Sequence, residues 1–265
     1  MTSERRVFVY PDKQTLADTI AERLLAKLAK FIKARGEATI VLTGGTMGSA
    51  SLAAVNASPN RDSVDWSRVN IWWGDERWLP DADPERNETQ AREALLAHIA
   101  VDDERVHPFP ASDGELSLDE AAEAYAAELR GFAAEGADYP SFDITFLGVG
   151  PDGHIASLFP ERTGIREEKL TVIPVRNSPK PPPERLSLTL PVINSSERVW
   201  LMLAGADKAS ALGLALADAS VFEVPVSGAR GRRSTKFLVD QDAAAEVPGN
   251  LITPDTYWTA EDDPH

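Results

Sequence analysis

Short apolar runs rich in β-branched and aromatic residues recur along the chain, separated by longer stretches whose apolar positions return every three or four residues. Arg6 to Tyr10 predicts a strand, and Asp12 to Arg35 a helix with Leu16, Ile20, Leu24, Leu28 and Phe31 on one face and Gly36 just past its end. Ala38 to Leu42 predicts a second strand, closed by Thr43-Gly44-Gly45-Thr46 before a helix from Met47 to Asn56. Val69 to Trp73 predicts a third. Asn87 reads as the N-cap of a helix from Glu88 to Ile99, Arg105 to Phe109 as a short strand, and Ser117 with Glu120 as the capping box of a helix from Leu118 to Phe132. The run Phe142, Ile144, Phe146, Leu147, Val149 predicts a buried strand that stops at Gly148, Gly150 and Gly153. Further strands are expected at Leu170 to Val175, Arg185 to Leu190, Val199 to Leu203 and Thr235 to Val239, with a helix from Ala209 to Leu216. Asn177 to Pro183 carries too many prolines for a helix or a central strand, so it reads as an extended surface loop.

Strands alternating with helices imply the α/β class: a three-layer, doubly wound, mostly parallel, Rossmann-like sheet in a single domain. The expected organisation is an α/β domain over residues 1–240 and an acidic, proline-containing tail over 241–265, packing loosely on the same domain or capping its surface.

Composition narrows the function classes. With 43% apolar and 26% charged residues among 265, the chain has the make-up of a soluble globular protein. No run approaches the roughly 20 apolar residues of a membrane span, and MTSERRVFVY lacks a signal-peptide core, so a cytoplasmic protein without a membrane partner is expected. The net charge of −15, from 42 acidic and 27 basic residues, argues against nucleic acid as a partner. It leaves room for a small phosphorylated ligand, because local cations dominate a pocket within a Debye length of roughly 8–10 Å. The absence of Cys removes thiol nucleophiles, disulfides and Cys-ligated zinc. His98, His107, His154 and His265 form no metal-ligand spacing, so no metal is expected, and His98 and His107 read as structural.

The candidate chemistry sits where strands end. Asp152 and His154 follow the buried strand at its carboxyl end, inside the glycine turn. Those glycines also satisfy G-x-G-x-x-G, but Pro151 removes an N–H and Asp152 places negative charge where a pyrophosphate would lie. A glycine-rich turn with a surface histidine is the plainer alternative. Gly44, Gly45 and Thr46 offer N–H groups and a helix N-terminus to an anion, without the G-K-[ST] of a nucleotide loop. Asp75, Glu76 and Arg77 stand in a loop between Gly74 and Pro80, and Gly205 to Lys208 leads into a helix. In a parallel sheet these four turns converge on one edge, which favours a site over four unrelated loops.

WWGDERWLP at Trp72 to Pro80, LGVGPDGHIASLFP at Leu147 to Pro160, SPKPPPERLSLTLPVIN at Ser178 to Asn194 and GADKASAL at Gly205 to Leu212 together resemble the 6-phosphogluconolactonases, within the glucosamine/galactosamine-6-phosphate isomerase superfamily. The resemblance spans most of the chain. It departs at Glu161, where members often have Gly, and in the charge-rich loop after Pro80. It implies hydrolysis of 6-phosphogluconolactone in the oxidative pentose phosphate pathway without metal or organic cofactor. His154 would act as base, Asp152 would orient it, and Arg77 or N–H groups of the glycine turn would hold the oxyanion. Gly44, Gly45, Thr46, Asp75, Arg185 and Lys208 would bind substrate, with the phosphate on the Gly-Gly-Thr turn. The partner implied is a small phosphorylated sugar lactone, and the chain is expected to be a monomer or weak homo-oligomer. A glucosamine-6-phosphate deaminase or isomerase is the alternative activity, and a non-catalytic sugar-phosphate-binding protein the alternative class.

Overall fold

A parallel sheet is covered on both faces, so its strands must be apolar throughout, and the short apolar runs are these strands. The computed structural model describes residues 4–261. Its elements are β1 (Glu4–Tyr10), α1 (Lys13–Arg35), β2 (Ala38–Leu42), α2 (Gly45–Ala57), β3 (Val69–Trp73), β4 (Asp75–Arg77), α3 (Asn87–Ala94), β5 (Val106–His107), α4 (Leu118–Gly131), β6 (Ile144–Gly148), β7 (Val172–Val175), β8 (Arg185–Leu188), α5 (Leu190–Asn194), β9 (Arg198–Leu203), α6 (Ala209–Leu216), β10 (Ser234–Asp240) and α7 (Thr256–Glu261). Seven strands form one parallel sheet in the order β1-β10-β9-β6-β2-β3-β5, with helices on both sides. Every residue of β2, β3 and β10 is buried.

Local signals set the helix ends. Asp12 caps α1 by accepting from the Thr15 N–H, and Gly36 ends it in the left-handed region at φ 88°. The Ser117/Glu120 capping box of α4 is formed. Asn87, however, is the first residue of α3 and not its cap, and α3 stops at Ala94, with Leu96–His98 a separate 3-10 turn. The capping work is done from outside the helix. The Glu76 carboxylate accepts from the N–H groups of Asn87 (2.7 Å) and Glu88 (2.9 Å), which leaves the Asn87 side chain for another use.

Asp75 to Arg77, expected to be loop, is a strand of a second, antiparallel sheet in the order β4-β8-β7. Its register pairs Arg77 with Arg185. The proline-rich loop joins β7 to β8 and is held by Arg185, whose guanidinium donates to the carbonyls of Lys180 (3.3 Å), Pro181 (2.9 Å) and Pro182 (3.2 Å). His107 is structural: it is buried, stacked on Trp72 at 3.9 Å, with Nδ1 2.7 Å from Glu128 Oε1. His98 is exposed, with Nε2 3.1 Å from the Glu93 carbonyl.

The residues after β10 return to the sheet edge. Thr253 donates to the Val7 carbonyl at 2.7 Å, and Ile252 bridges to Val7, covering part of the edge strand β1. Trp258 is buried against Phe8 (5.0 Å between rings) and Trp200 (5.1 Å). Among the described residues no helix is long and apolar enough to cross a membrane.

Candidate active site

From β2 the sheet continues through β3 to β5, and from β6 the other way through β9 and β10 to β1, so the strand order reverses between β2 and β6. Loops leaving the carboxyl ends of two such strands diverge and open a crevice. The turn after β2 and the turn after β6 face each other there, with the Gly148 N–H 3.4 Å from Thr43 Oγ1. A cavity of about 440 Å³ opens between them. Gly44, Gly45, Thr46, Asp75, Arg77, His154, Arg185 and Lys208 all line it. Asp152 does not; it stands beside His154, with its Oδ1 2.5 Å from Nδ1.

The imidazole is fixed from three sides. Nδ1 is held by Asp152, the ring lies 4.7 Å from that of Phe159, and its face folds back over Gly150, where a Cβ would come within 2.0 Å of Nδ1. Any other residue at 150 would displace the ring, so this glycine is required for space. With Nδ1 engaged, Nε2 is the nitrogen without a partner among the described residues. Burial would raise the Asp152 carboxyl, but the His154 hydrogen bond and the charges of His154 and Lys180 outweigh it and hold the group at about 2.

Two N–H groups of the glycine turn are engaged within the turn itself. The Gly150 N–H donates to the His154 carbonyl and the Gly153 N–H to the Gly150 carbonyl, both at 2.9 Å. These two bonds shape the turn and engage both donors. The turn after β2 behaves otherwise: α2 begins at Gly45 with no side chain capping it, so its first N–H groups remain available to an anion.

Of Asp75, Glu76 and Arg77, only the first and third reach the cavity. The Asp75 carboxylate accepts from Ser157 Oγ (2.7 Å) and Asn87 Nδ2 (3.3 Å). Glu76 points into the protein, and burial pushes its carboxyl up to about 7 against the Arg86 charge and the N–H donors at the start of α3. Five cations among the described residues line the cavity, Lys13, Arg77, Lys180, Arg185 and Lys208, against the carboxylates of Asp75 and Asp207. In a chain with net charge −15 this is a local reversal of sign. Arg77 and Arg185 sit directly opposite each other, a like-charge pairing that disfavours the sheet unless an anion lies between. Burial lowers the Arg185 pKa, Asp75 opposes this, and Arg77 adds to it. Lys208 Nζ is 2.9 Å from Asp207 Oδ2, on a turn fixed by the Gly205 N–H donating to Asp240 at 3.0 Å.

Sequence reasoning missed Lys13, Asn87 and Lys180. Lys180 Nζ lies 3.8 Å from Asp152 Oδ1, and burial lowers its pKa while Asp152 opposes that. A lysine set among the prolines of PKPPPER, a segment too rich in proline for a helix, was the signal that could have found it. Among the described residues no group of three His, Asp or Glu could hold a metal ion.

A family model described as glucosamine-6-phosphate isomerases/6-phosphogluconolactonase matches residues 11–238. A 6-phosphogluconolactonase of Streptomyces coelicolor is 50% identical over 258 residues, covering 96% of this chain and 99% of its own. The fold is similar to that of the Trypanosoma brucei 6-phosphogluconolactonase, with a TM-score of 0.80 and 25% identity over 93% of this chain and 100% of that one. It is also similar, in fold alone, to a monomeric glucosamine-6-phosphate deaminase, with a TM-score of 0.75 and 19% identity over 91% of this chain and 99% of that one. With a family model spanning most of its length and a relative this similar from end to end, the chain belongs to the glucosamine-6-phosphate isomerase/6-phosphogluconolactonase family.

Proposed function

We propose that the protein hydrolyses 6-phospho-D-glucono-1,5-lactone to 6-phospho-D-gluconate, the lactone-opening step of the oxidative pentose phosphate pathway. The observation that carries this reading is the Asp152–His154 pair beside a cavity lined by five cations. A lactone is an activated ester, so a water and a general base suffice. His154 Nε2 takes a proton as the water oxygen bonds to C1, and Asp152 stabilises the imidazolium that forms. Negative charge passes to the carbonyl oxygen, where Arg77 stabilises it. As the C1 bond to the ring oxygen breaks, His154 returns the proton to that oxygen, and the new carboxylic acid ionises. The phosphate rests on Gly44, Gly45 and Thr46 at the start of α2, with Lys180 and Lys208 as counter-charges. Arg185 contributes charge and, through its three carbonyl contacts, holds the loop that presents Lys180. The protein would act in the cytoplasm as a monomer or weak homo-oligomer, on a small molecule and not on nucleic acid.

The test is an assay on lactone generated in place by oxidation of glucose 6-phosphate, run beside glucosamine 6-phosphate. Enzyme-dependent lactone opening without ammonia release is expected. Ammonia release at enzymatic rates, with lactone decay no faster than in buffer, would reverse the assignment to the sister activity. Exhaustive chelation is expected to leave the lactonase rate unchanged, since no residue cluster offers metal ligands among the described residues. Loss of activity restored by adding back a divalent ion would overturn that expectation.

A further inference from the structure

Asn87 lines the cavity yet belongs to neither the phosphate-binding turn nor the acid–base pair. Its amide is held in one orientation: Nδ2 donates to the Asp75 carbonyl (2.8 Å) and lies 3.3 Å from Asp75 Oδ1, and a flipped amide would set oxygen against oxygen. The other end of the amide, Oδ1, is buried and accepts no hydrogen bond. It presses against Gly44, where a Cβ would fall 1.8 Å from Oδ1 and 2.4 Å from Cγ. Gly44 has φ −83°, which any residue adopts, so glycine is needed there for the space that Asn87 fills. One side chain therefore bridges the turn that would seat the phosphate and the Asp75 carboxylate on the cavity wall. Asp75 in turn accepts from Ser157, three residues beyond His154.

We propose that Asn87 is a positioning residue, a spacer that sets the distance between the phosphate turn at Gly44 and the reacting end at Asp75, so that a seated phosphate places the lactone carbonyl at His154. This rests on the lactonase reading above. The backbone of Asn87 is anchored independently, through its N–H to Glu76, so removing the side chain leaves the start of α3 capped. The effect belongs to geometry more than to folding. A misplacement on the order of 1 Å in such a site costs about 10²-fold in rate.

The experiment compares Asn87→Ala, Gly44→Ala and the double variant with wild type. It measures kcat and KM on the phosphorylated lactone, the inhibition constant of inorganic phosphate, and the thermal midpoint. Asn87→Ala is expected to lower kcat about 10²-fold, while phosphate inhibition stays within about threefold of wild type, because the turn itself still binds. Gly44→Ala, which crowds Asn87, should lose activity alone but add no further loss in the Asn87→Ala background. Additive losses, a kcat within about threefold of wild type, or a fall in phosphate binding that matches the fall in kcat would each overturn the spacer role. A wild-type protein that opens no lactone would instead sink the functional reading on which the spacer depends.

Discussion

His154→Ala is expected to lower kcat for lactone opening by about 10²–10⁴-fold, the usual loss when a general base is removed. The ring fills space over Gly150 and against Phe159 without carrying a strand or helix, so the variant should fold. The cations proposed to hold the phosphate are untouched, so KM should change far less than kcat. Asp152→Asn should fall between wild type and His154→Ala, since it keeps a hydrogen-bonding partner for Nδ1 but removes the charge that stabilises the imidazolium. The Asp152 carboxyl lies at about 2 in the fold against an ordinary 3.8, so whatever stability its ionised form contributes is complete above about pH 4 and is lost as pH falls through about 2. It therefore remains charged across the working range of the enzyme. A folded His154→Ala protein with near-normal kcat would place the base elsewhere, with Asp75 the next carboxylate on the cavity wall.

The second large effect is on stability. Trp258→Ala should cost about 3–5 kcal/mol, as for other fully buried aromatics. The indole is 1% exposed, packs on Phe8 of β1 and Trp200 of β9, and has the Lys236 ammonium 3.8 Å from its ring centre. At roughly 2–4 °C per kcal/mol for a chain of this size, the midpoint should drop by roughly 10 °C. Trp258→Phe should lose much less, because it keeps an aromatic ring and removes an indole N–H that is buried without an acceptor. Trp258 does not line the cavity, so kcat per folded molecule should hold. A Trp258→Ala protein as stable as wild type would mean that the tail rides on the domain without contributing to it.

Most of the sheet was legible because buried parallel strands announce themselves as apolar runs: β2 and β3 fall on the expected residues, and β9 and β10 within a residue of them. The second sheet was not. Its strand β4 is three residues long and carries Asp75, Glu76 and Arg77, whose pairing comes from β8, over a hundred residues away, and not from any local pattern. Asn87 misled for a related reason. An asparagine ahead of a helix reads as a cap, yet a carboxylate from β4 occupies that role and frees the amide to touch Gly44. Within the candidate site, strand ends and glycines pointed to His154, Asp152 and the Gly44–Thr46 turn. Lys13 and Lys180 were hidden, because a surface lysine looks the same in sequence whether or not its loop folds over a cavity. Trp258 lies in a polar, acidic stretch whose composition suggested loose packing or a cap on the surface, and its buried indole holds that stretch to the sheet together with the Thr253 and Ile252 contacts to Val7.

The central claim is that the His154 imidazole is the base that activates water. The most direct measurement is kcat/KM for the phosphorylated lactone from about pH 5 to 8, with wild type and His154→Ala in parallel. Wild type should lose activity toward acid pH, because a base that already carries a proton cannot accept one from water, and this acid limb should be absent from the residual activity of the variant. An acid limb that persists unchanged in His154→Ala would contradict the account and assign the titration to another group, such as the substrate phosphate, whose second ionisation lies near about 6 by analogy with phosphoserine.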